Sequence, residues 1–417
     1  MSRRVSITGI GVVSPLGHRL EEFKLNLLEG VSGAALITAF EPAQLPTRIA
    51  AEVDAAALPE QSKDRKIAFG TAAARFAIDD ARLFGKDPAG HYPARCGALS
   101  LGIGLELFSM PDMVTFMETE EISTSSELDR LTFLQSPSDI CLHLICREHD
   151  LGQPPMTHIS ACAASTDAIG LAFRMIRDGE RDWMLAGGTD SMINPMGVAG
   201  FCKIGATTTR NEEPRKASRP FDVDRDGFLL GEGACVFLLE PRDRAEARGA
   251  RIYADITGYG NSFDAHGISE PHPEGEGAFL SMQRALDDSA IRPEEISYVN
   301  AHGTSTPKND PIETKAIRRL LGAHADRVPV SSTKSMIGHL ISAAGAVELA
   351  ASIVCARDGF IHPTINLENQ DPGCDLDYVE EGARESEVDY ILKNSFGFGG
   401  QNASLVVKME PGGGVHA

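Results

Sequence analysis

No run in this chain is long and apolar enough to cross a bilayer. The longest apolar stretch, Ile341 to Ala356, is shorter than the roughly 20 residues a spanning helix requires, and it carries Glu348. Positive charge is also scarce. Thirty-nine Lys and Arg stand against 59 Asp and Glu, a formal net charge of −20. So acidic a surface repels nucleic acid and anionic membrane, and an acidic partner would need a local basic patch. Cysteines are few and scattered, at 96, 141, 146, 162, 202, 235, 355 and 374, with no CxxC pair. No second Cys/His pair follows Cys141 and Cys146 at zinc spacing, so neither a metal site nor a disulfide framework has its signature. The expectation is free thiols in a reducing cytoplasm and no bound metal. Gly9-Ile-Gly11 is followed by Val-Val-Ser, so no GxGxxG forms and a dinucleotide site is unsupported. Low-complexity segments and charge runs are missing as well.

The opening MSRRVSITGIGVVSPLG has the basic-then-apolar order of a secretory signal. Glycines interrupt its apolar part and no small-residue cleavage site follows, so Val5 to Val13 reads as a buried strand. Beyond it, short apolar runs alternate with helical patterns, the punctuation of an α/β chain. A helix is predicted from about Asp64 to before Gly85, and another over about 136–149. PPMTHIS is a strand ending just before Cys162, AIGLAFRMIRDG a helix closed by Gly179, and WMLAGG the next strand. The 417 residues exceed the usual single domain. The pattern restarts near residue 250: RRVSITGIGVVS and RIYADITGYGNS share a basic start, alternating apolar residues and an I-T-G-x-G ending. This reads either as an internal duplication or as two unrelated buried strands ending in glycine turns.

Cys162 lies in SACAASTDAIG, where a strand should give way to a helix. One reading is packing, since free cysteine behaves as a small hydrophobe. The other is nucleophilic: amides at a helix start favour a thiolate, and the small neighbours Ala161, Ala163 and Ala164 leave room for a substrate. Such a thiol needs partners supplied by the fold. His302 in NAHGTSTPKND and His339 in SSTKSMIGHLISAAGAVE stand apart from the other histidines, each packed round with Gly, Ser and Thr. NSFGFGGQNAS, Asn394 to Ser404, places two phenylalanines between glycines, which suits either a hairpin turn or an aromatic wall on a movable loop.

With ACAAS, SRPFDVDRDGFLLGEGA (218–234), NAHGTSTPKND (300–310), STKSMIGHLISAAGAVE (332–348) and NSFGFGGQNAS in order, the chain resembles the β-ketoacyl-acyl-carrier-protein synthases of the thiolase superfamily. The likeness is to the elongating type II group, which also includes the ketosynthases of type II polyketide and polyene pathways. It implies an α/β fold, five-layered αβαβα, made of two pseudo-repeated halves: 1–249 with the nucleophile and 250–417 with both histidines. It implies a Cys-His-His site. Cys162 would carry the acyl group, with its backbone amide and that of Phe398 forming the oxyanion hole. His302 and His339 would stabilise an enolate, and Lys334, with Glu348, would order them. Thr304 and Thr306 match pantetheine-binding hydroxyls, and Ser269 stands where the family often has threonine. Phe398 matches a gating aromatic with Phe201 as its stacking partner, and Asp310 and Glu313 would hold the loop through charge pairs.

The resemblance further implies no resident cofactor, phosphopantetheine arriving on an acyl carrier protein. Lys63, Arg65 and Lys66 are one candidate docking patch. Leu107 and Phe108, after the GIG turn, would line the acyl tunnel and favour short to medium or flat unsaturated chains; alternatively Phe108 only packs the core. A homodimer is expected, or a heterodimer with a chain-length-factor-like subunit. Fatty-acid elongation is the first reading and a polyketide or polyene pathway the second. The second histidine excludes the initiating synthases, Cys162 argues against a noncatalytic chain-length partner, and GFGGQN lacks the second cysteine of a degradative thiolase.

Overall fold

The computed structural model describes residues 2–54, 58, 64–84, 92–104, 117–119 and 137–410; for 137–139 it describes the backbone only. Leu107, Phe108 and Lys63 lie outside the described residues. Ten strands carry the fold: β1 (Val5–Val13), β2 (Gly97–Ile103), β3 (Met156–His158), β4 (Trp183–Ser191), β5 (Glu232–Pro241), β6 (Ala254–Phe263), β7 (Tyr298–Asn300), β8 (Val330–Ser331), β9 (Tyr390–Gly397) and β10 (Gln401–Met409). Six helices cover the sheet or position the site: α1 (Arg65–Ala81), α2 (Pro137–Glu148), α3 (Ala164–Arg177), α4 (Glu276–Ser289), α5 (Asn309–Leu321) and α6 (Ala344–Arg357).

The strands form one continuous mixed sheet in the order β8-β7-β9-β10-β6-β1-β5-β4-β2-β3. It divides at the β6–β1 junction into two sets of five with the same connectivity. In each set the first strand pairs antiparallel with the fifth and the fifth antiparallel with the fourth. The fourth then pairs parallel with the second, and the second parallel with the third. The two similar segments meet at the junction, where Val5–Ile7 pair antiparallel with residues 256 to 254.

The I-T-G-x-G glycines have one physical role in both sets. A Cβ on Gly9 or Gly11 would stand 2.2 or 1.9 Å from the carbonyl oxygens of Ala77 or Ala73, so α1 lies directly on β1. A Cβ on Gly258 or Gly260 would stand 2.1 Å from the carbonyl oxygens of Ala285 or Ser281, which puts α4 on β6 in the same way. Duplication thus accounts for the repeated pattern better than two unrelated glycine turns.

Helices α1 and α2 cover one set of strands and α4 and α5 the other, while α3 and α6 run between the two. These are five layers, helix–sheet–helix–sheet–helix. The long apolar stretch is therefore an internal helix: every α6 residue from Ala344 to Ala356 is buried. No helix among the described residues is long and apolar enough to cross a membrane.

Candidate active site

The two inner helices begin alike. Ala161 (φ +48°) opens the 3₁₀ turn Ala161–Ala163 ahead of α3, and Ile341 (φ +44°) opens Ile341–Ala343 ahead of α6. Left-handed φ is uncommon outside glycine and costs energy, so such a turn persists where the surrounding fold holds it. Cys162 sits on the first turn, and Ser342 occupies the matching place on the second. Cys162 is 3% exposed, at the bottom of a cavity of about 300 Å³ that His302 and His339 also line.

His339 Nε2 lies 3.1 Å from Cys162 Sγ. The sulfur and one ring nitrogen from each histidine lie within 4.8 Å of one another. Both rings have their Nδ1 occupied by a donor: the Ile341 backbone N–H reaches His339 Nδ1 at 3.2 Å, and Lys334 Nζ reaches His302 Nδ1 at 3.2 Å. A neutral imidazole that accepts at Nδ1 carries its proton on Nε2. Burial, reinforced by the Lys334 and Lys393 charges, holds both imidazoles well below the usual histidine range, hence neutral. The same positive charge disfavours a divalent cation on the three groups, although their spacing would admit one.

The thiol departs from the sequence expectation. Cys162 belongs to the turn before α3, not to the helix, and full burial pushes its pKa up to about 11. Lys334 and a hydrogen bond from the Phe398 backbone N–H oppose that shift without overcoming it. In the free protein the sulfur is thus a thiol. Gly397 passes so close that a Cβ there would stand 3.2 Å from the Cys162 nitrogen, and the next residue, Phe398, sends its backbone N–H to the Cys162 sulfur.

Lys334 also donates to the His302 carbonyl at 2.6 Å and pairs with Glu348 Oε1 at 2.5 Å, the partner expected for it. Glu348 Oε2 pairs with Lys393 at 2.8 Å. Lys393 was not singled out from sequence; the signal was there, a lysine inside the strand pattern YILKNSFG.

The loop after His302 is held differently from the expectation of charge pairs. Glu313 accepts the backbone N–H groups of His302 and Gly303, both at 2.8 Å. Asp310 accepts those of Thr304 and Ser305 at 3.0 and 3.1 Å, and has an ion-pair partner in Arg225 at 3.7 Å. Backbone amides do most of the work because the loop is buried and its N–H groups need acceptors. Arg225 also donates to the Thr306 carbonyl at 3.0 Å, which gives the FDVDRDGF motif its place as a brace for the threonine loop.

Thr304 and Thr306 share a hydroxyl–hydroxyl hydrogen bond of 2.9 Å, and with Ser269 and Phe398 they line the cavity. Phe201 shares an apolar cluster with Phe398, but its ring partner is Phe228, at 5.4 Å edge-on. Phe228 in turn stands edge-on to His339 at 5.2 Å, so the aromatic that contacts the histidine comes from the DGF motif. Of the expected basic patch, Arg65 and Lys66 lie among the described residues, and both have acidic partners. Arg65 binds Glu232 and the Val53 carbonyl, and Lys66, 2% exposed, pairs with Asp64 at 2.5 Å. Both charges are spent inside the protein.

The β-ketoacyl synthase family matches by its N-terminal domain over residues 2–245 and by its C-terminal domain over residues 253–368. The chain is 42% identical over 412 residues to the 3-oxoacyl-[acyl-carrier-protein] synthase 2 of Coxiella burnetii, covering 97% of this chain and 98% of that protein. Two solved structures superpose with TM-scores of 0.87, each covering 98% of this chain and 100% of the other. One, 30% identical, is a type II polyketide ketosynthase in complex with its acyl-carrier protein bound to the hexaketide. The second, 33% identical, is the ishigamide ketosynthase/chain length factor.

Proposed function

The chain belongs to the β-ketoacyl synthase family, and from that premise we propose that it condenses an acyl thioester held on Cys162 with malonyl-acyl carrier protein, in fatty-acid elongation. The product is β-ketoacyl-acyl carrier protein and carbon dioxide. The observation that carries this reading is the convergence of two neutral Nε2–H imidazoles on one thiol.

In the first half-reaction the Cys162 sulfur attacks the acyl thioester. The oxyanion so formed is met by the backbone N–H groups of Cys162 and Phe398. Collapse expels the pantetheine thiolate, which takes the proton that Cys162 gives up. In the second, the malonyl carboxylate leaves as carbon dioxide and its bonding pair passes into an enolate. The Nε2–H groups of His302 and His339 donate to the enolate oxygen. The carbanion attacks the acyl-Cys162 carbonyl, and the Cys162 thiolate leaves and is reprotonated.

Thr304, Thr306 and Ser269 suit the pantetheine arm, and Phe398 the mouth of the cavity. No resident cofactor takes part, since the pantetheine comes on the partner. The exposed edge of the sheet ends in β3, just before Cys162, and an unpaired edge strand suits a two-fold dimer contact. We place the boundary between the halves at 249/250 and the reaction in the cytoplasm, where the cysteine thiols stay reduced.

A polyketide or polyene pathway is the second reading, with a chain-length-factor-like subunit as dimer partner; the two ketosynthase likenesses favour it. Mass spectrometry separates the two. The wild type, charged with acyl carrier proteins of graded length and saturation and then given malonyl carrier protein, should form β-ketoacyl product with the acyl group trapped on Cys162 alone. Saturated acyl groups as the best substrates support elongation, and polyketide or polyene intermediates support the alternative. Acylation of another cysteine, or no carbon dioxide, rejects both.

A further inference from the structure

The link from His302 through Lys334 to Glu348 does not end at the carboxylate. Lys393, on β9, is fully buried, with Nζ 2.8 Å from Glu348 Oε2 and 3.3 Å from Ser395 Oγ, and it donates to the Asn394 carbonyl. Ser395 Oγ bonds Thr166 Oγ1 at 2.8 Å, on α3 just beyond Cys162. One ammonium is thus tied to the histidine pair, to the nucleophile's helix and to the strand that leads into Phe398. Burying an ammonium is costly unless it is paired, and a carboxylate needs only one counter-ion. Glu348 already has Lys334 at 2.5 Å, so this carboxylate does not need a second cation of its own.

We propose that Lys393 is a positioning residue of the condensation site: it fixes Glu348 so that Glu348 seats Lys334 against His302, and it sets a second ammonium beside that carboxylate. The added charge favours the anions the reaction passes through, the malonyl carboxylate and the enolate. It also opposes protonation of both histidines. The titratable and charged groups facing this cluster are Lys334, Glu348, Glu313, His302, His339, His362, Cys162 and Asp190. Of these, Glu348 and Glu313 stabilise the Lys393 ammonium, while burial and Lys334 oppose it.

The inference rests on the condensation reading. The test is the pH profile of malonyl-carrier-protein decarboxylation by the wild type, Lys393→Met and Lys393→Arg. Removing the cation lets the imidazoles protonate more readily, so the acid limb of Lys393→Met should move upward by about half a pH unit or more. Its kcat should fall about tenfold while KM for the malonyl carrier stays within about threefold, the signature of a loss felt in the transition state. Lys393→Arg, which keeps the charge, should retain the wild-type acid limb. A folded Lys393→Met with the wild-type limb and kcat overturns the proposal. A wild type that releases no carbon dioxide defeats the condensation reading instead. In that case, or if Lys393→Met does not fold, NMR of isotope-labelled lysine in the wild type decides: an ammonium at Lys393 at about pH 7 supports the proposal, and a neutral amine overturns it.

Discussion

His302 and His339 are both buried, and a donor holds the Nδ1 of each. A backbone N–H and an ammonium can only donate, so both rings present Nε2–H to the cavity. Replacing either with alanine removes one donor to the enolate, and loss of one such donor costs about 2.7–4 kcal/mol of transition-state stabilisation, or 100- to 1,000-fold in rate. Acylation of Cys162 should suffer much less, because its oxyanion is met by backbone amides. Single-turnover assays of the two half-reactions separate the effects; equal losses in both would show that the histidines act by shaping the site. The thiol itself, held up to about 11 by burial, makes a small pool of thiolate in the free protein. A bound thioester that excludes water and brings its carbonyl to the two amides must supply what the resting turn does not.

At the scale of elements, the glycine pairs of β1 and β6 decide how closely helix meets sheet. A methyl at Gly258 would have to displace the backbone of α4, since the nearest atom is the Ala285 carbonyl oxygen at 2.1 Å. Gly258→Ala should therefore destabilise the protein by about 1–3 kcal/mol, as overpacking of a tight interior does. Gly200, in the helix Pro195–Lys203, has nothing within 4 Å of the place a Cβ would take. Gly200→Ala should be neutral or stabilise by up to about 1 kcal/mol, the helix-propensity difference. Equilibrium unfolding of the two variants checks the contrast, and comparable destabilisation by both would remove close helix–sheet approach as the reason for the glycines. The same kind of approach recurs between the inner helices, where a Cβ on Gly345 of α6 would stand 2.1 Å from Thr166 Oγ1 of α3.

Over the whole molecule, the buried histidines make stability depend on pH. His302 and His339 lie well below the ordinary range and His362 at about 4, all through burial. The unfolded chain takes up protons at these positions below about pH 6.5 while the folded one does not, so stability falls as pH falls, by up to about 1.4 kcal/mol per histidine per pH unit. Buried carboxyls act in the opposite sense. Asp190 is raised to about 6 by burial, and Asp310 and Glu313 are raised by the same cause. A carboxyl with a raised folded pKa adds stability as pH falls through that value, so Asp190 begins to offset the histidines only near pH 6. Thermal unfolding should show a midpoint that drops as pH falls from about 7 and goes on dropping below about 6, less steeply than the three histidines alone would give. A midpoint that stays level or rises on acidification through that range would mean that the imidazoles are not held neutral.

The sequence by itself determined the alternation of strands and helices and set Cys162, His302 and His339 apart, while Lys334 and Glu348 came with the family resemblance and the two similar halves stayed one of two readings. Each of these signals is local: a period in the apolar pattern, a glycine where backbones must approach, a cluster of small residues round a reactive side chain. Tertiary structure decided what depends on residues far apart in the chain. It spent Arg65 on Glu232, gave Phe201 the ring of Phe228 rather than that of Phe398 as its partner, and carried Lys393 to the far side of Glu348. It also reversed the expected direction of the thiol shift, because a helix start lowers a pKa only where burial does not outweigh it. Charge state and ion-pair partners follow from solvent exclusion and from the topology that joins the two sets of strands, and neither is written in the neighbouring residues.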